Sequence, residues 1–208
     1  YTIGPFFFAS IIGDNVTLDF FSFSFLFYAG IFFAIGEVAN MVGVAITPAI
    51  TKAIGKKSTF IYCLIILTVL SCIFFFIPCT QSGYWLMLLM QVVISILIGI
   101  GSPLVWSMYA DIADYAELKF KTVSTGLIFS SASMAQKFGG AVGGSAVTAI
   151  LAVVGYNTAA NAIQTESALV WVKALMSFVP AAVAVCALFF IAIYPLTTNK
   201  MKEIQTQL

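Results

Sequence analysis

The chain has 208 residues, of which 62% are hydrophobic and 8% are charged, and its formal net charge is +1. Because about a quarter of the residues in soluble domains are charged, this composition excludes a soluble globular domain and a disordered chain, and the lack of a basic face excludes a nucleic-acid-binding protein. The chain contains no histidine, which excludes histidine-based acid–base and metal chemistry. None of the four cysteines has the spacing of a metal or redox site. The composition predicts an all-α membrane protein.

Six apolar segments predict the membrane spans. The first, residues 1–12, is too short to cross a bilayer and is expected to be the last part of a helix that begins before this sequence. Each of the other five is long enough for a helix of ~20 residues to cross the hydrocarbon core. These five spans are placed at about 21–47, 59–78, 84–108, 124–154 and 169–195.

The lysine residues predict the orientation of these spans. The segments that follow the second, fourth and sixth spans lie on one side of the membrane by parity, and the loops on the other side contain no lysine. Because cytoplasmic loops are enriched in lysine and arginine, we expect the lysine-bearing segments and the C-terminus to be cytoplasmic. Their lysines are Lys52, Lys56, Lys57, Lys119, Lys121, Lys200 and Lys202.

Three spans carry polar or small residues at helical spacing, which indicates faces turned to the bundle interior or to water. The third and sixth spans lack such a face and are expected to contact lipid or to pack. The second span shows Gly30, Phe33, Glu37 and Asn40; the fourth shows Gln91, Ser95, Gly99, Ser102 and Trp106; the fifth shows Gly126, Ser130, Ser133, Lys137, Gly140, Gly144 and Thr148.

Glu37 and Lys137 lie deep within their spans, where an ionised group costs about 3 kcal/mol on insertion scales. Counting along the spans places the two at similar depth. Glu37 and Lys137 could therefore form an ion pair across a cavity, or Lys137 could pair with a carboxylate outside this sequence. A buried pair that only fixes helix packing is the structural alternative, although an apolar pair would pack at less cost.

Glycine and proline predict two further features. Gly139, Gly140, Gly143 and Gly144 are expected to let a neighbouring helix come close, because they form overlapping small-xxx-small pairs. Gly99, Gly101 and Pro103 are expected to interrupt the fourth span, either as a hinge that moves or as a plain kink.

Asp111, Asp114 and Glu117 recur every three residues after the fourth span, so on a helix they would form an acidic ridge. One interpretation is a solvated helix end. A second is a gate, in which the acids pair with cations of another half in one state and release them in the other. A third is a Mg²⁺-dependent intramembrane transferase acting on a diphosphate, which would need a second acidic cluster that the sequence lacks.

Residues 103–119 resemble the loop between helices ten and eleven of the glycoside–pentoside–hexuronide:cation symporters. This family of the major facilitator superfamily includes the melibiose and xyloside permeases. Residues 126–130 and 135–144 are similar to the family's eleventh helix. The resemblance implies a six-helix C-terminal half, comprising helices 7–12 with helix 7 truncated, of a twelve-helix transporter whose N-terminal half is missing here.

The resemblance implies sugar or glycoside symport with Na⁺ or H⁺ by alternating access, in the bacterial inner membrane and without a cofactor or enzyme activity. It also implies that Lys137 helps to form a joined sugar and cation site, with Ser133 on the same face. A non-transporting membrane protein, such as a sensor or an assembly partner, is the main alternative. Substrate contacts are expected at Lys137, Ser133, Glu37, Asn40, Trp106, Ser102 and Tyr1; cation coupling at Lys137, Glu37 and Ser133; and the cytoplasmic gate at Asp111, Asp114, Glu117 and Lys119.

Overall fold

The structure is a computed structural model that describes residues 25–77, 81–156, 165–196, 200, 201, 203 and 204. The predicted first span and Tyr1 lie outside these residues. Within them the chain forms helices and no strand, as expected of an all-α protein. The helices are α1 (Phe25–Ile54), α2 (Lys56–Phe76), α3 (Gln81–Phe120), α4 (Thr125–Val153) and α5 (Glu166–Ile193).

Four of these helices are long and apolar enough to cross a membrane, namely α1, α2, α3 and α5. Helix α4 has the length, but serine and glycine residues, together with Gln136 and Lys137, lower its mean hydropathy. The helix on which the sequence predicts the longest polar face is therefore the one that is not among these four.

A single residue, Gly55, joins α1 to α2. Its φ of 84° is a left-handed conformation that glycine adopts without steric cost. The expected loop between the second and third spans is consequently almost absent, and Lys56 and Lys57 form the first turn of α2. Two positive charges at a helix N-terminus oppose the helix dipole, so both lysines need partners elsewhere.

Helix α3 has 40 residues and is ~60 Å long, about twice the thickness of the hydrocarbon core. It continues from the predicted end of the span at residue 108 to Phe120, so the acidic ridge is part of the same helix. Helix α3 continues without a break through Gly99, Gly101 and Pro103, so these residues do not end the helix, and the hinge or kink expected there stays a prediction. Pro103 removes one backbone hydrogen bond, and the packing of α1 against this part of α3 supports the helix.

Glycine residues bring α1 and α3 into backbone contact. A Cβ atom at Gly43 would overlap the carbonyl oxygen of Ile96, and one at Gly99 would overlap that of Asn40. The side-chain amide of Asn40 also donates a hydrogen bond of 3.4 Å to the carbonyl of Ser95. Gly99 therefore serves the close approach of two parallel helices rather than a break in one.

The helices pack as two pairs, α1 on α3 and α2 on α5, with α2 also against α3. Helix α4 contacts α3 and α5 only lightly, and Val147 and Leu151 are its two buried residues. Both belong to an apolar cluster with Phe32, Phe74, Tyr84 and others. This cluster lies at the end of the bundle that is remote from Lys56 and Lys57, here called the opposite end; the other is the lysine-rich end.

The α1–α3 contact predicts that replacing glycine by alanine lowers the stability of this protein, whereas the same replacement usually stabilises a helix. Alanine normally favours a helix over glycine by about 0.5–1 kcal/mol, but Gly43→Ala and Gly99→Ala should each destabilise the protein by about 1–3 kcal/mol through overpacking. Gly30→Ala is the matched control on α1, since nothing lies within 4 Å of its added Cβ. Thermal unfolding in detergent measures this, and equal melting temperatures for all three variants would contradict the contact.

Candidate functional site

The polar face of α4 borders an open cavity of about 570 Å³. Ser130, Ser133 and Lys137 line it together with Met134 and Phe138. The Lys137 side chain is exposed and forms no salt bridge within the described ranges. The structure thus places Ser133 and Lys137 together, and the ammonium group is available to a ligand or to another part of the protein.

Glu37 does not pair with Lys137 in this structure. The stacked rings of Trp106 and Phe129 fix the relative depth of α3 and α4, and Lys137 lies about 12 Å beyond Phe129 along α4. The same distance along α3 leads from Trp106 to the level at which Asn40 meets that helix. Asn40 is therefore level with Lys137, whereas exposed Glu37 lies about one turn farther toward the opposite end.

Trp106 belongs to an aromatic cluster that holds α4 to α3 near the lysine-rich end. Its ring stacks on Phe129 with centroids 6.0 Å apart, and Tyr109 packs edge-on against both rings. Trp106 remains 36% exposed. Ser102, one turn earlier on α3, is exposed, and Tyr1 lies outside the described residues.

A second cavity, of about 400 Å³, separates the middle of α4 from the other helices. Gly139, Gly140, Gly143 and Gly144 form its α4 wall, and no atom of the described residues lies within 4 Å of a Cβ atom added at any of them. Among the described helices these glycines therefore have no close neighbour, and the expectation that they pack on a neighbouring helix stays a prediction. Helix α4 is attached near its two ends and leaves space along its centre.

One residue of the acidic ridge, Asp111, is paired from within the chain. Lys56 Nζ lies 2.7 and 2.9 Å from the two carboxylate oxygens of Asp111, and Asp111 is only 6% exposed. A solvated ridge is thus wrong for this residue, and its cation comes from α2 rather than from another half. The reason is the extension of α3, which carries Asp111 alongside the first turn of α2. Asp114 and Glu117 are partly exposed, and Lys119 Nζ lies over the rings of Tyr115 and Phe120.

Lys57 caps α5. Its ammonium donates hydrogen bonds of 3.1 and 2.7 Å to the carbonyls of Ala192 and Tyr194, where the end of α5 leaves carbonyls without helical partners. A cation at this position is favoured by the negative end of the helix dipole. Both first-turn lysines of α2 are therefore satisfied by neighbouring helices.

The segment after α5 folds back onto the extension of α3. Leu196, Met201 and Ile204 are buried against the apolar face that carries Ile112 and Tyr115. Tyr194 joins this cluster, and its hydroxyl is buried without a hydrogen-bond partner among the described residues. Burial, together with the nearby charge of Asp111, raises the pKa of Tyr194 to about 12.

At the opposite end, Lys173 caps α2. Its ammonium donates a hydrogen bond of 2.6 Å to the carbonyl of Ile77 and lies over the ring of Phe75. Lys173 is the lysine that the positive-inside count leaves unexplained, and its bond to a helix end accounts for it locally.

Sequence reasoning used Lys56 and Lys57 only to assign orientation and made no use of Lys173, and it missed the contacts of all three. The usable signal was the placement of Lys56 and Lys57 directly after Gly55, because cations in the first turn of a helix require compensation. No signal pointed to Tyr194. Among the described residues no group of three or more histidine, cysteine or acidic side chains could hold a metal.

Several known proteins are similar to this chain. The model of the family described as MFS/sugar transport protein matches residues 1–198. A glucuronide carrier protein homolog from Escherichia coli (strain K12) is 31% identical over 86% of this chain and 39% of its own length, and an inner membrane symporter from that strain is 31% identical over 82% of this chain and 37% of its own length. A further relative from that strain, 26% identical over 85% of this chain and 38% of its own length, carries a name that proposes glycoside/cation symport.

The chain thus spans about two-fifths of the length of these relatives. No solved structure matches it significantly.

Because Lys56 and Asp111 form an ion pair, we expect the effects of substitutions at these two positions on stability to be strongly coupled. Lys56→Met leaves a buried carboxylate without a partner and should destabilise the protein by about 1–3 kcal/mol, as should Asp111→Asn. The double variant should lose clearly less than the sum, because the first change already breaks the pair. Chemical unfolding in detergent measures the cycle with Asp114→Asn as control, and additive losses would show that the ion pair does not form.

The Tyr194 hydroxyl is buried without a described partner, and we therefore expect that it does not stabilise the fold. Tyr194→Phe removes a buried oxygen that has no partner among the described residues, so the variant should be at least as stable as the parent at pH 7. The pKa is raised in the folded state above its ordinary value of about 10. Titration of Tyr194 therefore leaves the free energy of unfolding of the parent unchanged below pH 10. It lowers that free energy as the pH rises through about 12.

Melting temperatures of the parent and Tyr194→Phe should consequently diverge between pH 10 and 12, with the parent falling faster. Tyr62→Phe, which alters an exposed ring, is the control. A marked loss of stability in Tyr194→Phe at pH 7 would reveal a partner for the hydroxyl.

Proposed function

Because the chain belongs to the family of MFS sugar transport proteins, we propose that it forms the C-terminal half of a sugar or glycoside:cation symporter that works by alternating access. Membership confirms the predicted fold class, an all-α protein of the major facilitator superfamily. Members of this family are transporters and not enzymes, so the transferase interpretation is withdrawn.

The exposed ammonium of Lys137 is the observation that carries the proposal. It lies on a face with Ser130 and Ser133 in a helix that otherwise crosses apolar surroundings. An unpaired charge at such a depth is costly and usually marks a solute or ion pathway. Packing does not explain it, because α4 contacts its neighbours only lightly.

Lys137 is proposed to link sugar and cation binding. Its ammonium can donate hydrogen bonds to sugar hydroxyls or to a sugar carboxylate, and it repels a coupling cation until its position changes. Exchange of partners as the site fills would make the affinity for sugar depend on the cation. Asn40, at the same level on α1, is proposed as a hydroxyl contact, and Glu37 as the carboxylate that responds to the cation.

The lysine-rich end is proposed as the cytoplasmic gate. Asp111 is already neutralised by Lys56, so it fixes α3 to α2 within this half. Asp114 and Glu117 form no salt bridge with other described residues, and they remain available, with Lys119, to groups of the N-terminal half. The gate is therefore proposed to open by breaking contacts of Asp114 and Glu117 while the Lys56–Asp111 pair stays closed.

The bacterial inner membrane, with the C-terminus in the cytoplasm, is the proposed location. The support is the lysine-rich end, where the described residues include six lysines: Lys52, Lys56, Lys57, Lys119, Lys121 and Lys200. Cytoplasmic loops concentrate such residues. The coupling ion is proposed to be Na⁺ or H⁺, and the missing half supplies the other wall of the substrate path.

Lys137→Met in the full-length transporter should reduce cation-driven glycoside uptake at least ~10-fold, since loss of one charged hydrogen-bond donor corresponds to about 1.5–3 kcal/mol. Lys121→Met, which removes an exposed charge after α3, is the matched control. Uptake is measured in membrane vesicles with and without a Na⁺ or H⁺ gradient. Equal uptake and equal cation dependence in the two variants would contradict the role of Lys137.

A further inference from the structure

The part of α3 beyond the predicted fourth span, here called the α3 extension, carries an apolar side. It runs from residue 109 to Phe120, a length of ~18 Å at 1.5 Å per residue. Along it Ile112, Tyr115 and Leu118 recur every three residues and therefore lie on one side of the helix. Because the extension is expected to stand in water rather than in lipid, covering this apolar side is favourable.

Three buried side chains after α5 cover this apolar side. Leu196, Met201 and Ile204, here called the tail strap, are all buried. They form one cluster with the three apolar residues of the α3 extension. A cation–π contact joins the same two parts of the chain, since Lys200 Nζ lies 5.7 Å from the centre of the Tyr115 ring. The tail strap is thus docked along the α3 extension.

Both parts are fixed at their base by α2. Lys56 pairs with Asp111 near the start of the α3 extension, and Lys57 donates to the carbonyls of Ala192 and Tyr194 where the chain leaves α5. Two adjacent side chains of α2 therefore hold the extension and the chain that leads to the tail strap next to each other. Beyond Asp111 the described residues form no further salt bridge, so the rest of the extension depends on the contacts of the tail strap.

The helical form of the α3 extension determines where its acids point. Asp114 and Glu117 each directly precede a residue of the apolar side, Tyr115 and Leu118, so on a helix they are rotated by about 100° from that side. The docked tail strap accordingly leaves both carboxylates partly exposed. A short helical end without such cover frays in water, and the two carboxylates would then no longer share one face.

We propose that the tail strap keeps the cytoplasmic gate closed by holding the α3 extension helical, so that Asp114 and Glu117 face the N-terminal half together. The inference rests on the function proposed above, and the residues of the tail strap are positioning residues. Docking of the strap favours the state that is closed to the cytoplasm, and its release favours the open state. Because a few side chains hold it, the strap can leave without unfolding the helices that cross the membrane.

The first measurement tests whether the tail strap holds the α3 extension. In the full-length transporter, the double substitution Met201→Ser and Ile204→Ser should speed hydrogen exchange of the backbone amides of residues 112–120 at least ~10-fold, because it removes the apolar cover. Glu203→Ser, at an exposed position between the two, is the matched control. It should leave the exchange rate within about twofold of the parent's rate.

The second measurement tests whether the strap controls the gate. In a full-length transporter with its native cysteines replaced, a single cysteine is introduced by Ser133→Cys. Inside-out vesicles then expose the cytoplasmic side to a membrane-impermeant maleimide. The cysteine should react several-fold faster in the double variant than in the parent, because the gate is open to the cytoplasm more often, and Glu203→Ser should react as the parent does.

Unchanged hydrogen exchange in the double variant would overturn the tail strap, and faster exchange with unchanged labelling would overturn its link to the gate. Equal effects of Glu203→Ser would also overturn the proposal, because that substitution leaves the apolar cluster intact. If the double variant does not fold, Ile204→Ala is measured in the same way and the same outcomes decide. Failure of the parent to transport any glycoside would instead overturn the proposed function, while hydrogen exchange would still test the strap.

Discussion

Contact between the backbones of α1 and α3 is the constraint on which the rest of the bundle depends. In a membrane, apolar side chains gain nothing by leaving lipid for one another, so helices associate through close van der Waals contact and hydrogen bonds. Gly43 and Gly99 allow that approach, and the Asn40 amide adds a bond across it. The contact supports α3 through Pro103 and thereby allows a single helix to run from the opposite end to the acidic ridge.

Helix α4 contrasts with this pair. The Trp106–Phe129 stack attaches it at one end, and Val147 and Leu151 attach it at the other. Between these attachments it presents a polar face with Lys137 and a glycine face to two separate cavities. A helix that is held near its ends and has few described neighbours at its centre suits the proposed path for solute, and tightly packed α1 and α3 would provide the fixed side of that path. The ion pair of Lys56 with Asp111 and the cap of Lys57 on α5 keep the lysine-rich end together.

The sequence predicted the helical class and the approximate positions of the described helices, because long apolar runs and lysine placement report directly on a bilayer. It did not predict the length of α3, since polar residues after residue 108 look like a loop when the packing of the chain segment after α5 is unknown. The contact of Gly99 with α1 was missed for a related reason: a glycine that breaks a helix and one that admits a neighbour have the same local sequence. The Lys56–Asp111 pair joins residues far apart in the chain and needs tertiary structure to be seen. Glu37 and Lys137 do not pair in the structure, because counting residues along each span fixes neither the relative depth of two helices nor the faces that meet.

Water access to the α4 face is the most direct test of the account. In a full-length transporter with its native cysteines replaced, single cysteines are introduced by Ser133→Cys, Lys137→Cys and, at an exposed apolar position of α5, Val183→Cys. Reaction with a membrane-impermeant maleimide in membrane vesicles is then measured with and without a transported glycoside. The account predicts that positions 133 and 137 react and are protected by the glycoside, whereas position 183 stays unreactive. A position 137 that is as unreactive as position 183 would place Lys137 against lipid and contradict the proposed transport path.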